Sequence, residues 1–332
     1  MSTPLEVEPG GAVAASEQAL VGSGGQIEGR SLGQIAWRRL RRDKVAIAGA
    51  CFLVFLVLVA IFAPLIVKFL GAPPNEYHQE LINTANGTLT PIGRFGGMSW
   101  HHLMGVEPVT GRDIFSRVVY GARISLLIAL LATLLSVAIG TTLGAVAGFF
   151  GGWVDAVISR VMDMFLAFPI LVFALALAGV FPDSAFGLSG NALRIVLLIF
   201  IIGFFNWGYI ARIIRGQALS LREKEFVDAA RSLGARGPYI LVREMLPNLI
   251  APILIYATLL IPTNILFEAA LSFLGVGIRP PTATWGGMLS DAVRYYTLPH
   301  YMFWPGIAIF ITVLAFNLFG DGLRDALDPK TR

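Results

Sequence analysis

The sequence predicts an all-α integral membrane protein, with six transmembrane helices preceded by a helix lying in the membrane interface. Charged residues make up 14% of the 332-residue chain, against about 25% in ordinary soluble domains. Hydrophobic residues reach 56% and mean hydropathy is +0.72. The apolar residues gather into six runs, each near the roughly 20 residues that a bilayer core of about 30 Å requires. The runs do not alternate as barrel strands would, and in hydrocarbon only helices or closed barrels satisfy their own backbone. A soluble enzyme is excluded on these grounds.

In chain order, residues 1–30 are rich in Gly, Ala and Glu with few large apolar side chains, which predicts a disordered tail. Glu6, Glu8, Glu17 and Glu28 speak against a cleaved signal peptide. In 31–44, Leu32, Ile35, Ala36 and Leu40 fall at helical spacing among Trp37 and four arginines. That pattern suits an interfacial helix, the alternative being a basic flank that only sets topology. The first span is 45–66, and an extracytoplasmic loop of 67–123 follows. Within it, Asn86-Gly87 marks a tight hairpin turn in 81–90.

Residues 124–323 hold spans two to six, at 124–150, 161–181, 195–211, 249–274 and 302–320, and 324–332 is a tail. Gly140, Gly144 and Gly148 recur every four residues in span two, leaving one face small enough for close helix approach. Span five contains Pro252 and Pro262, then Asn264 and Glu268. A carboxylate within a span is costly, on the order of 3 kcal/mol at the centre. Glu268 therefore reads either as lining a pathway or as a structural or interfacial group, and Asn264, Glu268 and Asn317 are the translocation-pathway candidates.

Orientation follows from Lys and Arg, which accumulate in cytoplasmic loops. With the N-terminus inside, 17 of the 25 basic residues are cytoplasmic, so both termini face the cytoplasm. The net charge of +4 follows from this topology and does not indicate nucleic-acid binding. Cys51 is the one cysteine, which excludes an intrachain disulfide and a cysteine-built metal site. His78, His101, His102 and His300 have no metal-ligand spacing. Gly29-Arg30-Ser31-Leu32-Gly33 matches a hydrolase pattern but lacks the strand-to-helix turn that would activate its serine. No Gly-Lys pair occurs in the chain, so the phosphate-binding loop of an ATPase is absent. No catalytic residue and no cofactor of this chain's own is expected.

The cytoplasmic segment 212–248 is the most informative. Phe226, Val227, Ala230 and Leu233 share one helical face beside Arg222, Glu223, Lys224, Glu225, Asp228 and Arg231, a short amphipathic helix too polar to span. Gly234 ends it, Gly237-Pro238 restarts the chain, and a second short helix runs from Tyr239 to Leu246, stopped at Pro247. The result is a compact knob able to dock into a partner's groove.

Here Asp228-Ala229-Ala230-x3-Gly234-x11-Leu246-Pro247 resembles the "EAA" loop of ABC importer permeases. Asp228 stands for the usual Glu, and Glu244 where the subfamily often has a non-acidic residue. Further stretches resemble the peptide/nickel type, its C-type membrane subunit in particular: Gly111-Arg112-Asp113-x2-Ser116-Arg117-x2-Tyr120-Gly121-Ala122-Arg123-Ile124-Ser125, Gly152-Trp153-x-Asp155, Ala167-Phe168-Pro169 and Leu271-Ser272-Phe273-Leu274-Gly275. Pro280-Pro281-x3-Trp285-Gly286 and Ala315-Phe316-Asn317-Leu318-x-Gly320-Asp321-x2-Arg324-Asp325 complete the set.

The resemblance implies a permease of a bacterial or archaeal cell membrane, paired with a homologous second permease and fed by an extracytoplasmic substrate-binding protein. Two ABC ATPase subunits would hold the ATP and Mg. They would be engaged through Asp228, Ala229, Ala230, Leu233, Gly234, Ala235, Arg236, Leu246 and Pro247. Transport would proceed by alternating access, with di- or oligopeptides as leading cargo and nickel chelates, oligosaccharides or opine-like solutes as alternatives. A secondary transporter or channel would need more ionisable groups deep in its spans. An intramembrane enzyme would need a catalytic pair that the spans lack.

Overall fold

Asp43 sets the start of the first long helix. In the computed structural model, which describes residues 32–85, 87–180 and 184–327, its carboxylate accepts from the N–H groups of Val45 (2.9 Å) and Ala46 (3.1 Å). This N-cap separates α1 (Leu32–Leu40) from α2 (Lys44–Ile61). The expected tail 1–30, Asn86 of the expected turn, and residues 328–332 lie outside the described residues. The first apolar run is not one helix of 45–66. It divides at Phe62, and α3 (Ala63–Leu70) begins anew with Pro64 in its first turn, where the missing N–H has no intrahelical partner to lose.

The outer segment is correspondingly shorter than the expected 67–123. It holds a small antiparallel hairpin, β1 (Ile82–Asn83) against β2 (Thr90–Pro91), with Ile82 opposite Pro91. Residues 84–89 connect the strands, a longer loop than a two-residue turn. Helix α4 (Ile114–Phe150) starts ten residues before the expected span because Asp113 caps it, accepting from the Ser116 N–H (2.8 Å) and hydroxyl (2.6 Å). Arg117 and Arg123 interrupt the apolar run but not the helix. At 37 residues it is about 55 Å long, more than the hydrocarbon core needs.

The third expected span, 161–181, is broken. Helices α5 (Gly152–Ala167) and α6 (Ile170–Val180) meet at a 75° bend. Phe168 between them is extended at φ −82°, ψ 127°, the conformation that Pro169 imposes on the residue before it. A second hairpin, β3 (Ser184–Ala185) and β4 (Leu188–Ser189), turns through Phe186 and Gly187, both at positive φ. Helix α7 (Gly190–Arg222) then runs well past the expected end of span four.

After α8 (Glu225–Ser232), helix α9 (Gly237–Phe273) forms a single rod. The expected stop at Pro247 is therefore corrected: residues Ile240–Met245 form a π turn that leads directly into the following α-helix. Wider i→i+5 spacing before the proline gives its ring room and leaves its absent donor at a helix junction. Helix α10 (Trp285–Val293) is capped by Thr284, whose hydroxyl accepts from the Gly287 N–H at 3.0 Å. The last helix, α11 (Pro299–Leu327), continues through 324–327 of the expected tail. Its C-terminal end is docked: Ala326 is buried and Gly322 lies against Ala46 of α2.

Among the described residues, five helices are long and apolar enough to cross a membrane, and the bent α5–α6 pair makes six if it counts as one span. The centre of the bundle is the α4–α7 pair. A Cβ at Gly140 would stand 2.7 Å from both the Ile210 Cβ and the Trp207 carbonyl, and one at Gly148 would stand 2.6 Å from the Ala218 Cβ. Gly144 faces the Ala211 backbone just as closely, while Gly203 of α7 answers against the Ala132 carbonyl. Ser136 adds a hydrogen bond to the Gly203 carbonyl at 2.7 Å.

A leucine at Gly144 must push α4 and α7 apart. Overpacking costs typically 1–3 kcal/mol and more where backbone stands in the way. Gly144→Leu is expected to lower the melting temperature of the purified protein in detergent well below that of Val57→Leu, a substitution on an exposed face. Equal melting curves would mean that the two helices do not depend on this contact.

Candidate functional site

The segment between α7 and α9 is held to the bundle from one side and free on the other. Val227 of α8 is fully buried and packs with Phe149, Ala218, Ile240 and Met245. Arg231 sits over the Phe149 ring at 6.0 Å and pairs with Asp228 at 3.1 Å. Helix α8 ends in a double closure: the Gly234 N–H donates to the Arg231 carbonyl (2.9 Å) and the Ala235 N–H to the Ala230 carbonyl (3.0 Å). This is the Schellman arrangement, which needs a left-handed residue at the first position past the helix. Gly234 supplies it at φ +81°. Arg236 is extended, and Gly237-Pro238 opens α9.

The outward side of this knob carries Asp228, Ala229, Leu233, Gly234 and Arg236, all exposed, with Ala230 and Ala235 half-buried beneath them. Leu233 is 88% exposed while Val227, on the same helical face in the sequence pattern, is fully buried. A hollow of about 450 Å³ is lined by Ala230, Leu233, Gly234, Ala235, Arg236, Tyr239 and Glu244. Leu246 is half-buried and Pro247 exposed, both on the continuous α9. An exposed apolar side chain next to a small-residue floor, on a capped and anchored turn, is a surface suited to docking.

The pathway candidates lie in two settings. Glu268 is fully buried; its carboxyl accepts from Ser125 (2.9 Å) and Ser272 (2.8 Å), so it ties α9 to α4. Asn264 is equally buried, donating to Thr133 at 2.8 Å and accepting from Asn206 at 2.9 Å. Both were expected on a pathway wall, and in this conformation their own chain encloses them. Asn317 is exposed on α11. The reason is the turn of α9: Glu268 shares its buried face with Ile265, Leu271 and Ser272.

Two ion clusters escaped the sequence reading of the residues. Glu107, 2% exposed, accepts from Arg112 through both oxygens (2.6 and 3.1 Å) and from the Tyr301 hydroxyl (3.0 Å), with Arg117 Nε 2.9 Å away. Arg117 also donates to the Pro281 carbonyl at 3.1 Å. These bonds fasten the outer segment, α4 and α11 to one another. At the opposite end of the bundle, Arg215 donates twice to Asp155, and Arg212 reaches Asp163 at 2.6 Å, holding α5 to α7. The spacing within Gly111–Arg117 shows a cap and two cations, but nothing local reveals that Tyr301 completes the set. Among the described residues no group of three or more His, Cys, Asp or Glu side chains is placed to hold a metal ion.

A helical membrane bundle of this kind, with an exposed capped turn between two long helices, defines a membrane-embedded transport subunit. The family model described as "binding-protein-dependent transport system inner membrane component" matches residues 140–332, and that of the "N-terminal TM domain of oligopeptide transport permease C" matches 31–87. The chain belongs to the family of inner membrane components of binding-protein-dependent transport systems. It is 41% identical over 297 residues to the glutathione transport system permease protein GsiD of Shigella flexneri serotype 5b, covering 89% of this chain and 90% of that one. GsiD of Escherichia coli O6:K15:H31 is 40% identical over the same shares. The dipeptide transport system permease protein DppC of Alkalihalophilus pseudofirmus is 39% identical over 298 residues, 90% of each chain. The chain is a multi-pass permease and not a catalytic enzyme.

Removing the Glu107 carboxylate strands two buried guanidinium groups. Breaking a buried ion pair from one side costs roughly 3–5 kcal/mol. Glu107→Ala is expected to unfold the outer segment, read as protease cleavage between residues 71 and 113, whereas Glu107→Gln loses less because it still accepts from Tyr301. Undiminished protease resistance in Glu107→Ala would show that the cluster contributes nothing.

Proposed function

We propose that the chain forms half of the translocation pathway of an ATP-driven importer of di- or oligopeptides. Its partners are a homologous permease, two ABC ATPase subunits and an extracytoplasmic substrate-binding protein. The chain itself binds no cofactor; ATP and Mg sit on the ATPases. The observation that carries this reading is the knob at 225–247, anchored through Val227 and exposing Ala229, Leu233 and Gly234. Relatives named for dipeptide and glutathione transport support the choice of small peptides as cargo. The basic asymmetry supports a topology with both termini in the cytoplasm, which places the knob where the ATPases are.

In this mechanism the ATPase pair closes on ATP and drags the knob with it. Because Val227, Ile240 and Met245 join the knob to α4 and α7, and α9 continues from it without a break, the displacement is carried into the spans and turns the two permeases outward. The binding protein then delivers its peptide. Glu268 and Asn264 serve as ties between α9 and its neighbours, and Asn317, exposed on α11, is the candidate to line the route.

Reconstituted with its partners in vesicles, the complex is expected to take up labelled dipeptide in a vanadate-sensitive, ATP-dependent manner; uptake driven by an ion gradient alone would refute the reading. Ala230→Glu and Gly234→Trp are expected to leave the permease inserted but to release the ATPases or uncouple hydrolysis from uptake. At Gly234 the left-handed backbone adds about 1 kcal/mol of strain to the bulk of the indole. Full uptake by an intact complex in both variants would sink the docking role.

A separate comparison tests Glu268. As a tie between helices, Glu268→Gln is expected to lower the yield of assembled complex and uptake in proportion. Normal assembly with lost uptake would return Glu268 to the pathway.

A further inference from the structure

We infer that α1 and the turn after it form a binding site for anionic phospholipid headgroups, built at the docked inner end of α11. Four cations converge there. Arg38, Arg41, Arg42 and Lys44 are all exposed, and none has a carboxylate within ion-pair distance among the described residues. Arg39 is half-buried and engaged elsewhere. The acid within the cluster, Asp43, accepts through Oδ1 from the N–H groups of Val45 and Ala46 as the N-cap of α2; its single negative charge offsets one of the four cations and leaves three in excess.

The same surface carries the aromatic marker of a membrane interface. Trp37 is 60% exposed, and Arg41 stacks over its ring at 5.7 Å. Tryptophan prefers headgroup depth, and α2 enters the membrane directly after this turn. The cations are therefore held level with phosphates. Four like charges within seven residues attract anionic headgroups, since each basic group near a charged bilayer surface adds to attraction.

The site is not loosely tethered. Helix α1 packs along α11, with Ala36 buried and Leu40 half-buried on the side away from the arginines. Immediately beyond, Asp43 and Ala46 press on Gly322 of α11. Headgroups bound here clamp α1 to the inner ends of α2 and α11, so the lipid composition of that leaflet bears on the stability of the last span. The occupant is lipid whichever way the chain is inserted, and the inference does not depend on the transported solute.

The test uses the full chain in phosphatidylcholine vesicles with trace spin-labelled phosphatidylglycerol or spin-labelled phosphatidylcholine. Wild type is expected to restrict the anionic label on the order of fivefold more than the zwitterionic one, a preference that collapses at high salt. In R38Q/R41Q/R42Q/K44Q the ratio is expected to fall towards one, and in R38K/R41K/R42K to persist. Because losing four charges can disturb insertion, wild type is also treated with photoactivatable phosphatidylglycerol, whose adducts are expected on residues 36–44. No preference in wild type, a preference unchanged in the glutamine variant, or adducts confined to other segments would overturn the inference. Loss of the preference in the lysine variant, or ATPase subunits released by the glutamine variant with its lipid preference intact, would instead assign the patch to a protein partner.

Discussion

The close contact of α4 with α7 is the constraint on which the rest of the structure depends. Inside a bilayer, side chains gain no hydrophobic free energy by leaving lipid for a neighbouring helix, so association rests on dispersion and on interhelical hydrogen bonds. Gly140, Gly144 and Gly148 let α4 approach α7 until the hydrogens of one backbone meet the carbonyls of the other. Once these two helices are fixed, α9 has one groove to fill, and α11 and α2 pack outside it. The polar ties Thr133–Asn264–Asn206 and Ser125–Glu268 then fix its rotation and depth.

A permease must change shape while every buried backbone group stays paired, and the chain concentrates its irregular backbone accordingly. The bend at Phe168-Pro169 divides α5 from α6, and the π turn at Ile240–Met245 lies near the start of α9. The fixed points are charged: Asp155 and Asp163 hold α5 to α7, and Glu107 with its arginines holds the outer segment. The knob lies between the π turn and the end of α7. A push on it is transmitted through the packed side chains Val227, Phe149 and Met245 rather than dissipated in a loop.

Much of the fold was legible in the chain because its governing rules are local. Run length near the bilayer thickness, proline and glycine at breaks, and the bias of Lys and Arg require no knowledge of what touches what. Gly234 is the clearest case, since a helix closing on a left-handed residue needs glycine whatever surrounds it. Where the reading erred, the missing information was a neighbour. Arg117 reads as part of the loop 67–123 rather than of the helix because its partner Glu107 and the Pro281 carbonyl cannot be seen from its neighbours in the chain. Pro247 looked like a stop because the π turn before it leaves no trace in composition. Periodicity put Val227 and Leu233 on one face but did not say that only Val227 is covered.

The sequence by itself determined that the chain crosses the membrane repeatedly, that a short amphipathic helix after the fourth span closes at Gly234, and that the protein resembles importer permeases. These follow from hydropathy and backbone stereochemistry, which act within a few residues. Only the tertiary structure decided that Glu268 and Asn264 are tied to a serine, a threonine and an asparagine of other helices rather than exposed, and that Tyr301 completes the Glu107 cluster. It also decided that Asp43 caps α2 through the N–H groups of Val45 and Ala46. A polar side chain has one identity in the sequence, but its role depends on which partners lie within about 3 Å, and those partners come from segments that meet only after the helices pack.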